Sequence, residues 1–401
     1  MNRTVFSILI LTALLASAMP ADAKVKVCSN EVTPAATLLL PYFEVSLGPP
    51  TGITTVFSIN NASMQPVLVK AEVWSDLGVG IFGFNIYLKG FDVQTINLRD
   101  ILVNGALPQT GPALFPDCHG VLPPAPIPAG LRADYQKALT GQPSALLSGL
   151  CAGRRFTDNI ARGYITFDTV NNCTVRNPRD PAYFTTDITD QNVLWGDFFF
   201  VDQAAGTAQG APLVHIESDP LAPETSVAGE YTFYGAYIAW SGIDNREPLP
   251  TTFGVRYING PVGATPTTTD LIVWRDPKVS QSEFTCPAVT GRPAWYPLGQ
   301  ERIEIGDENG NHYLMPRKAF PAVAQRVRVG RVPLPTRYPF GWMYLNLNHS
   351  RPANPNPPED PQAAQAWVIG LEFAGSNTSA GWDAMHYDSA CDALHGFPPI
   401  F

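Results

Sequence analysis

The chain has 401 residues and a formal net charge of −9; 45% of its residues are hydrophobic, only 15% are charged and 39 are proline. The acidic balance argues against nucleic acid as a partner, because phosphate binding needs a basic footprint. The hydrophobic content argues against a disordered chain, so the prolines are expected to punctuate many short strands and ordered loops.

The amino-terminal end carries Arg3, an apolar run from Phe6 to Ala18, and then Ala21-Asp22-Ala23. This is the pattern of a signal peptide over residues 1–23 with the mature chain starting at Lys24. The apolar run is roughly a dozen residues long, short of the roughly 20 that a spanning helix needs, and no later stretch is long enough either. The expected localisation is therefore export to the periplasm or the cell exterior, with no transmembrane segment in the mature chain. Cys28, Cys118, Cys151, Cys173, Cys286 and Cys391 make an even count, which in an exported chain reads as disulfides.

From residue 50 onward strand signals dominate. GITTVFSINN sets Ile53, Phe57 and Ile59 against Thr54, Ser58 and Asn60. PVLVKAEVW sets Val67, Val69, Ala71 and Val73 against Lys70 and Glu72, which predicts one buried and one wet face. Residues 104 to 160 are rich in proline and glycine and read as an insertion, with LRADYQKAL as a short helix inside it. ARGYITFDTV, NVLWGDFFFV, EYTFYGAYIAW, TDLIVW, FGWMYLNLN and AWVIGLEF follow as strands rich in β-branched and aromatic residues. Asn309-Gly310 marks a hairpin, and Ala380 to Leu394 is a second helix candidate.

Six segments of the first half align in order with six of the second, led by ITTVFSINN and KAEVWSD against PTTFGVRYING and DLIVWRD. The expected architecture is all-β: two tandem antiparallel, Ig-like β-sandwich domains over residues 24–222 and 223–401, with the insertion in the first. Confining bridges to these domains pairs Cys286 with Cys391; Cys118 with Cys151 and Cys28 with Cys173 are the favoured pairs among the rest. LLPYFEV, QNVLWGDFFFV, DNREPLPTTFG and FGWMYLNLN together resemble a group of exported bacterial proteins with no known activity. That resemblance implies export and brings no ligand or site residue with it.

Chemistry-bearing motifs are sparse. There is no GxSxG elbow, HExxH, Walker loop or GxGxxG opening a helix, so no cofactor is implied and no catalytic residue is assigned. The best cluster is LVHIESD, where an extended backbone puts His215, Glu217 and Asp219 on one face. Asp197 or Asp202 would join it if the preceding strand pairs with it as a hairpin. GIDNREPLP supplies Asp244, Arg246 and Glu247, whose mixed signs fit an ion-pair network that orders the loop or, failing that, a ligand contact. In VAQRVRVGR, Arg326 and Arg328 share a face and Arg331 follows, expected as a solvated outer face or else a contact for an anion or acidic glycan. A polar C-terminal group, Asp383, His386, Asp388, Asp392 and His395, surrounds Cys391. These features favour a non-enzymatic exported protein for binding, adhesion or envelope structure, whose partner is a glycan or another envelope protein. The alternative is an exported hydrolase acting on a glycan or ester.

Overall fold

The computed structural model describes residues 33–108, 126–218, 232–235, 244–277, 279, 284–286, 291–307, 309–315, 319–348, 365–375 and 378–386. In the first half the strands are β1 (Thr37–Ser46), β2 (Thr54–Asn61), β3 (Val67–Ser75), β4 (Gly80–Leu88), β5 (Val93–Asn97), β6 (Ile160–Val170), β7 (Leu194–Asp202), β8 (Thr207–Pro212) and β9 (Val214–Ile216). The second half adds β10 (Thr252–Ile258), β11 (Gly260–Val262), β12 (Thr265–Arg275), β13 (Arg302–Gly306), β14 (His312–Leu314) and β15 (Ala324–Arg328). It ends with β16 (Phe340–Asn346), β17 (Ala366–Ala374), β18 (Thr378–Asp383) and β19 (Met385–His386). The only α-helix among the described residues, α1 (Ala129–Leu139), falls on LRADYQKAL in the insertion. No described helix is long and apolar enough to cross a membrane.

The strands form four open antiparallel sheets. Sheet I has the order β4-β3-β6-β1-β9, and sheet II β5-β2-β7-β8. Sheet III runs β14-β13-β16-β10-β19, and sheet IV β11-β12-β17-β18, with β15 also on β12. Sheet I is the centre of the first half, and its long strands are buried along nearly their whole length. On one face Phe167 packs against Phe57 of sheet II, ring centroids 5.1 Å apart; on the other Tyr164 meets Trp274 of sheet IV at 6.0 Å. Pro41 interrupts β1 because it has no N–H for the ladder. The register with β6 shifts between Leu40 and Phe43 as a bulge.

Burial of sheet I on both faces corrects one expectation. Lys70 and Glu72, read as the wet face of their strand, are only 1% and 3% exposed. They pair at 3.4 Å, and Asn177 donates to Glu72 Oε1. On the opposite, apolar face of β3, Tyr135 of α1 stacks at 4.3 Å on Phe82, the cross-strand partner of Val73. Alternation along β3 separated two faces correctly, but both are covered, so the polar one is held by internal partners rather than water.

The second half does not repeat the first strand for strand. β2 pairs with β7 and β3 with β6, a nested arrangement. The corresponding segments pair β10 with β16 and β12 with β17, which cross instead. Short β-branched runs resemble one another by composition, and the six-segment alignment rested on that composition. Thr232–Gly235, inside a segment read as a strand, form a turn, and the described residues from Ala380 to His386 are extended rather than helical.

Packing is continuous between the halves. The larger hydrophobic core takes Leu39, Tyr164 and Phe198 from the first half together with Ile272, Trp274, Trp367 and Ile369 from the second. The opposite faces of β12 and β17 carry Leu271, Val273 and Val368 into a second core with sheet III. Cys151 pairs with Cys286 across 135 residues, Cα atoms 4.6 Å apart. This replaces both expected bridges to Cys118 and to Cys391, because Cys151 N–H also donates to Phe284 O and the two segments lie side by side. Cys28, Cys118, Cys391 and residues 1–23, read from the sequence as a signal peptide, lie outside the described residues.

Candidate functional site

The sequence-predicted residues fall into two structural places. β9 adds to sheet I by pairing with β1, so LVHIESD does not form a hairpin with β7; β7 pairs with β8, Asp197 opposite Pro212. His215 and Glu217 do share a face, and both meet Thr33: His215 Nδ1 lies 2.6 Å from Thr33 O, and Thr33 Oγ1 donates to Glu217. Burial holds the His215 imidazole below its ordinary pKa, partly opposed by the contact with Thr33 O. Asp197 instead accepts from Ser58 in sheet II. Asp219 and the side chains of the C-terminal polar group lie outside the described residues. Among the described residues no group of three or more His, Cys, Asp and Glu side chains is placed to hold a metal ion.

Arg246 is buried, 1% exposed, at the junction of β1, β6 and the 183–190 segment. It reaches Asp168, Asp190 and Asp244 at 3.7–3.8 Å, and donates to Thr37 Oγ1 and to Thr189 O. Asp168 in turn accepts from Thr37, Tyr183 and Tyr234. Burial raises the pKa of Asp244, with Arg246 opposing the shift. The loop is ordered by ion pairs as expected for Asp244 and Arg246, but most partners are distant in sequence. Glu247 contributes its backbone N–H to Glu217 O. This network locks a loop onto sheet I.

A different set of residues converges on an open cleft of about 660 Å³ between the ends of β1 and β6 and the strands β12 and β15. Arg154, Arg162, Arg326, Arg328 and Arg331 all line it, with Glu44, Asp158 and Asp270 as the lining carboxylates. Alternation along β15 puts Arg326 and Arg328 on one face, and the register sets them beside Asp270 of β12. Both guanidinium groups reach Asp270 at 2.7 Å, and Arg326 also reaches Glu44 at 3.0 Å. Arg162 grips Asp158 through two nitrogens, at 2.9 and 2.5 Å. Arg154 is anchored on Asp76, outside the lining, at 2.6 Å. Phe156 lies under both Arg162 and Arg154, 4.3 and 5.2 Å from its ring centre.

With Asp76 included, five guanidinium groups face four carboxylates. Arg331 is exposed and has no ion-pair or hydrogen-bond partner for its side chain among the described residues. Burial works against ionisation of Asp270, yet its hydrogen bonds and charge contacts with Arg328 and Arg326 keep its pKa below the ordinary value. The hydrogen bond from Arg162 does the same for Asp158. VAQRVRVGR is only in part a solvated face: Arg326 is largely buried in the cleft wall, whereas Arg328 is 39% exposed and Arg331 is exposed. Sequence reasoning missed Glu44, Arg154, Phe156, Asp158, Arg162 and Asp270; the run Arg154-Arg155-Phe156 and the Asp158–Arg162 spacing were the available signals.

No protein-family model, curated protein or solved structure matches the chain.

Proposed function

We propose that this is an exported, non-enzymatic binding protein whose ligand is anionic and sits in the arginine cleft. The observation that carries the reading is the convergence of five guanidinium groups on one cavity in a chain of net charge −9. Guanidinium groups present planar forks of donors that match carboxylate and sulfate oxygens. A cleft with a local positive excess concentrates such ligands, and about 660 Å³ is within the size range of small-ligand sites. Arg154, Arg162 and Arg326 are fixed by their carboxylates, while Arg331 and the outer edge of Arg328, 39% exposed, are available to a ligand. An acidic glycan fits this chemistry, since its carboxylates or sulfates meet the arginines and Phe156 supplies an apolar contact.

The hydrolase alternative needs a carboxyl group held protonated as a general acid beside a second, ionised one. Asp158 and Asp270 are held on the ionised side by arginine, which favours binding over catalysis. The face-to-face packing of sheet I on sheet II supports a sandwich for the first half; the crossed pairing in the second half gives a tandem repeat no support.

Calorimetric titration with polygalacturonate, its methyl ester and inorganic sulfate tests the reading. Saturable binding of polygalacturonate and no binding of the neutral ester is expected, while binding of sulfate alone would identify a small-anion site instead. Equal binding of the charged and neutral polymers, or none of any, would overturn it.

A further inference from the structure

The outer face of sheet II is built differently from the rest of the surface. Along β7 the side chains alternate between the core and the outside, and Trp195 and Phe199 remain 47% and 43% exposed. Four residues of strand separate them, about 14 Å, and Asp197 stands between them on the same face. The register places Asn60 directly across from Trp195 and Ser58 directly across from Asp197. These polar groups are tied in a row: Asn60 Nδ2 donates to Ser58 Oγ at 3.2 Å, and Ser58 Oγ donates to Asp197 Oδ1 at 2.7 Å. Phe199 lies against Gly210 of β8, where an added Cβ would come within 2.7 Å of ring carbon Cε1. The glycine lets the ring lie down on the sheet, so that its face rather than its edge is presented.

We propose that this face is a platform for a neutral polysaccharide chain lying along β7. Aromatic faces at both ends offer apolar stacking surfaces for sugar rings. Asn60 is buried, 6% exposed, and its amide donates to Ser58 and to Trp195 O, so it holds the Ser58–Asp197 pair in place. That half-buried pair between the rings offers a hydroxyl and a carboxylate acceptor to sugar hydroxyls. An apolar protein partner would have to take the Asp197 carboxylate out of water with the Ser58 hydroxyl as its donor, at a cost of roughly 1–3 kcal/mol or more for acceptor capacity left unpaired. A saccharide offers that carboxylate its own hydroxyl donors. The single carboxylate on the face selects against acidic chains, in contrast to the arginine cleft, and none of these residues lines that cleft.

Native gels cast with hydroxyethylcellulose, xylan or pullulan test the proposal, with sedimentation velocity run alongside. At least one polymer is expected to retard the wild-type chain, and W195A and F199A are each expected to weaken binding by about tenfold or more. The Asp197→Asn variant keeps an acceptor and is expected to bind more weakly without loss of fold, with the retardation of each variant read against its own mobility in a polymer-free gel, since a change of charge alone shifts migration. Both aromatic side chains are exposed, and circular dichroism confirms folding of the variants. Absence of retardation by all three polymers, or retardation unchanged in W195A and F199A, would overturn the proposal. A dimer that W195A dissolves would assign the face to a second copy of the chain and would overturn it equally.

Discussion

Replacing Arg246 with methionine keeps much of the side-chain volume and removes the cation at the centre of the buried network. Asp168 and Asp244 are each 1% exposed and would lose their positive partner, while Thr37 Oγ1 and Thr189 O would lose a donor. Breaking a buried pair from one side typically costs about 3–5 kcal/mol, because the remaining charge stays buried without compensation. The exposed Lys137–Asp134 pair, with side chains 49% and 28% exposed, is the internal control; K137A is expected to change stability by less than about 0.5 kcal/mol. Urea unfolding of both variants measures the difference. The pH dependence makes the test sharper. Asp244 already has a raised pKa because it is buried, with Arg246 opposing the shift. Without Arg246 its folded-state value rises further above the unfolded value of about 3.9. Such a group contributes its full stability below the unfolded pKa and loses it as pH rises through the folded one. R246M is therefore expected to be less destabilised relative to wild type near pH 4 than near pH 8. A loss below about 1 kcal/mol, or a loss that does not change with pH, would refute the buried-charge reasoning.

Three further outcomes follow from single features. Non-reducing peptide mapping is expected to recover Cys151 linked to Cys286; closing a loop of 135 residues contributes up to about 5 kcal/mol on the chain-entropy estimate, so C151A/C286A should lose stability on that scale. His215 is held below its ordinary pKa by burial, so its contribution is present above the unfolded value of about 6.5 and is lost as pH falls through the folded value. Thermal melts from pH 7.5 to 5 should show that loss in wild type and a flatter profile in H215Q. Gly163 lies opposite Phe43 and Ser75 in the middle of sheet I; a Cβ there would approach Phe43 Cε1 to 2.9 Å and the Trp74 carbonyl still more closely. G163A is expected to lower stability by about 1–3 kcal/mol, as overpacking does, and an unchanged urea midpoint would contradict the close approach.

Much of the strand content was legible because alternation and turn residues are local. β2, β3, β6, β7, β12, β16 and β17 all fall on segments read from their own composition, and α1 falls on LRADYQKAL. Asn309-Gly310 closes the turn between β13 and β14, with Gly310 at φ 79°. Pairing order was not legible, because it depends on which apolar face meets which across more than a hundred residues. The same limit explains the wet face assigned to Lys70 and Glu72: alternation separates two faces without saying that the segment carrying Asn177 and Arg179 and the second half cover the polar one. Arg246 illustrates the point at a single residue. Its neighbour Asp244 was visible in the loop, whereas Asp168 and Thr37 come from β6 and β1. The arginine cleft was half visible, since Arg326 and Arg328 stood out on one strand while Glu44, Arg154 and Arg162 reach it from the other half of the chain.

The central claim is that the arginine cleft holds an anion, and anomalous diffraction from crystals soaked in selenate addresses it without reference to any particular ligand. The account predicts a selenium peak in the cleft within hydrogen-bonding distance of Arg328 and Arg331, and its loss in crystals of R328A/R331A. Selenate bound only elsewhere on the surface, or a cleft peak that persists in the double variant, would contradict it.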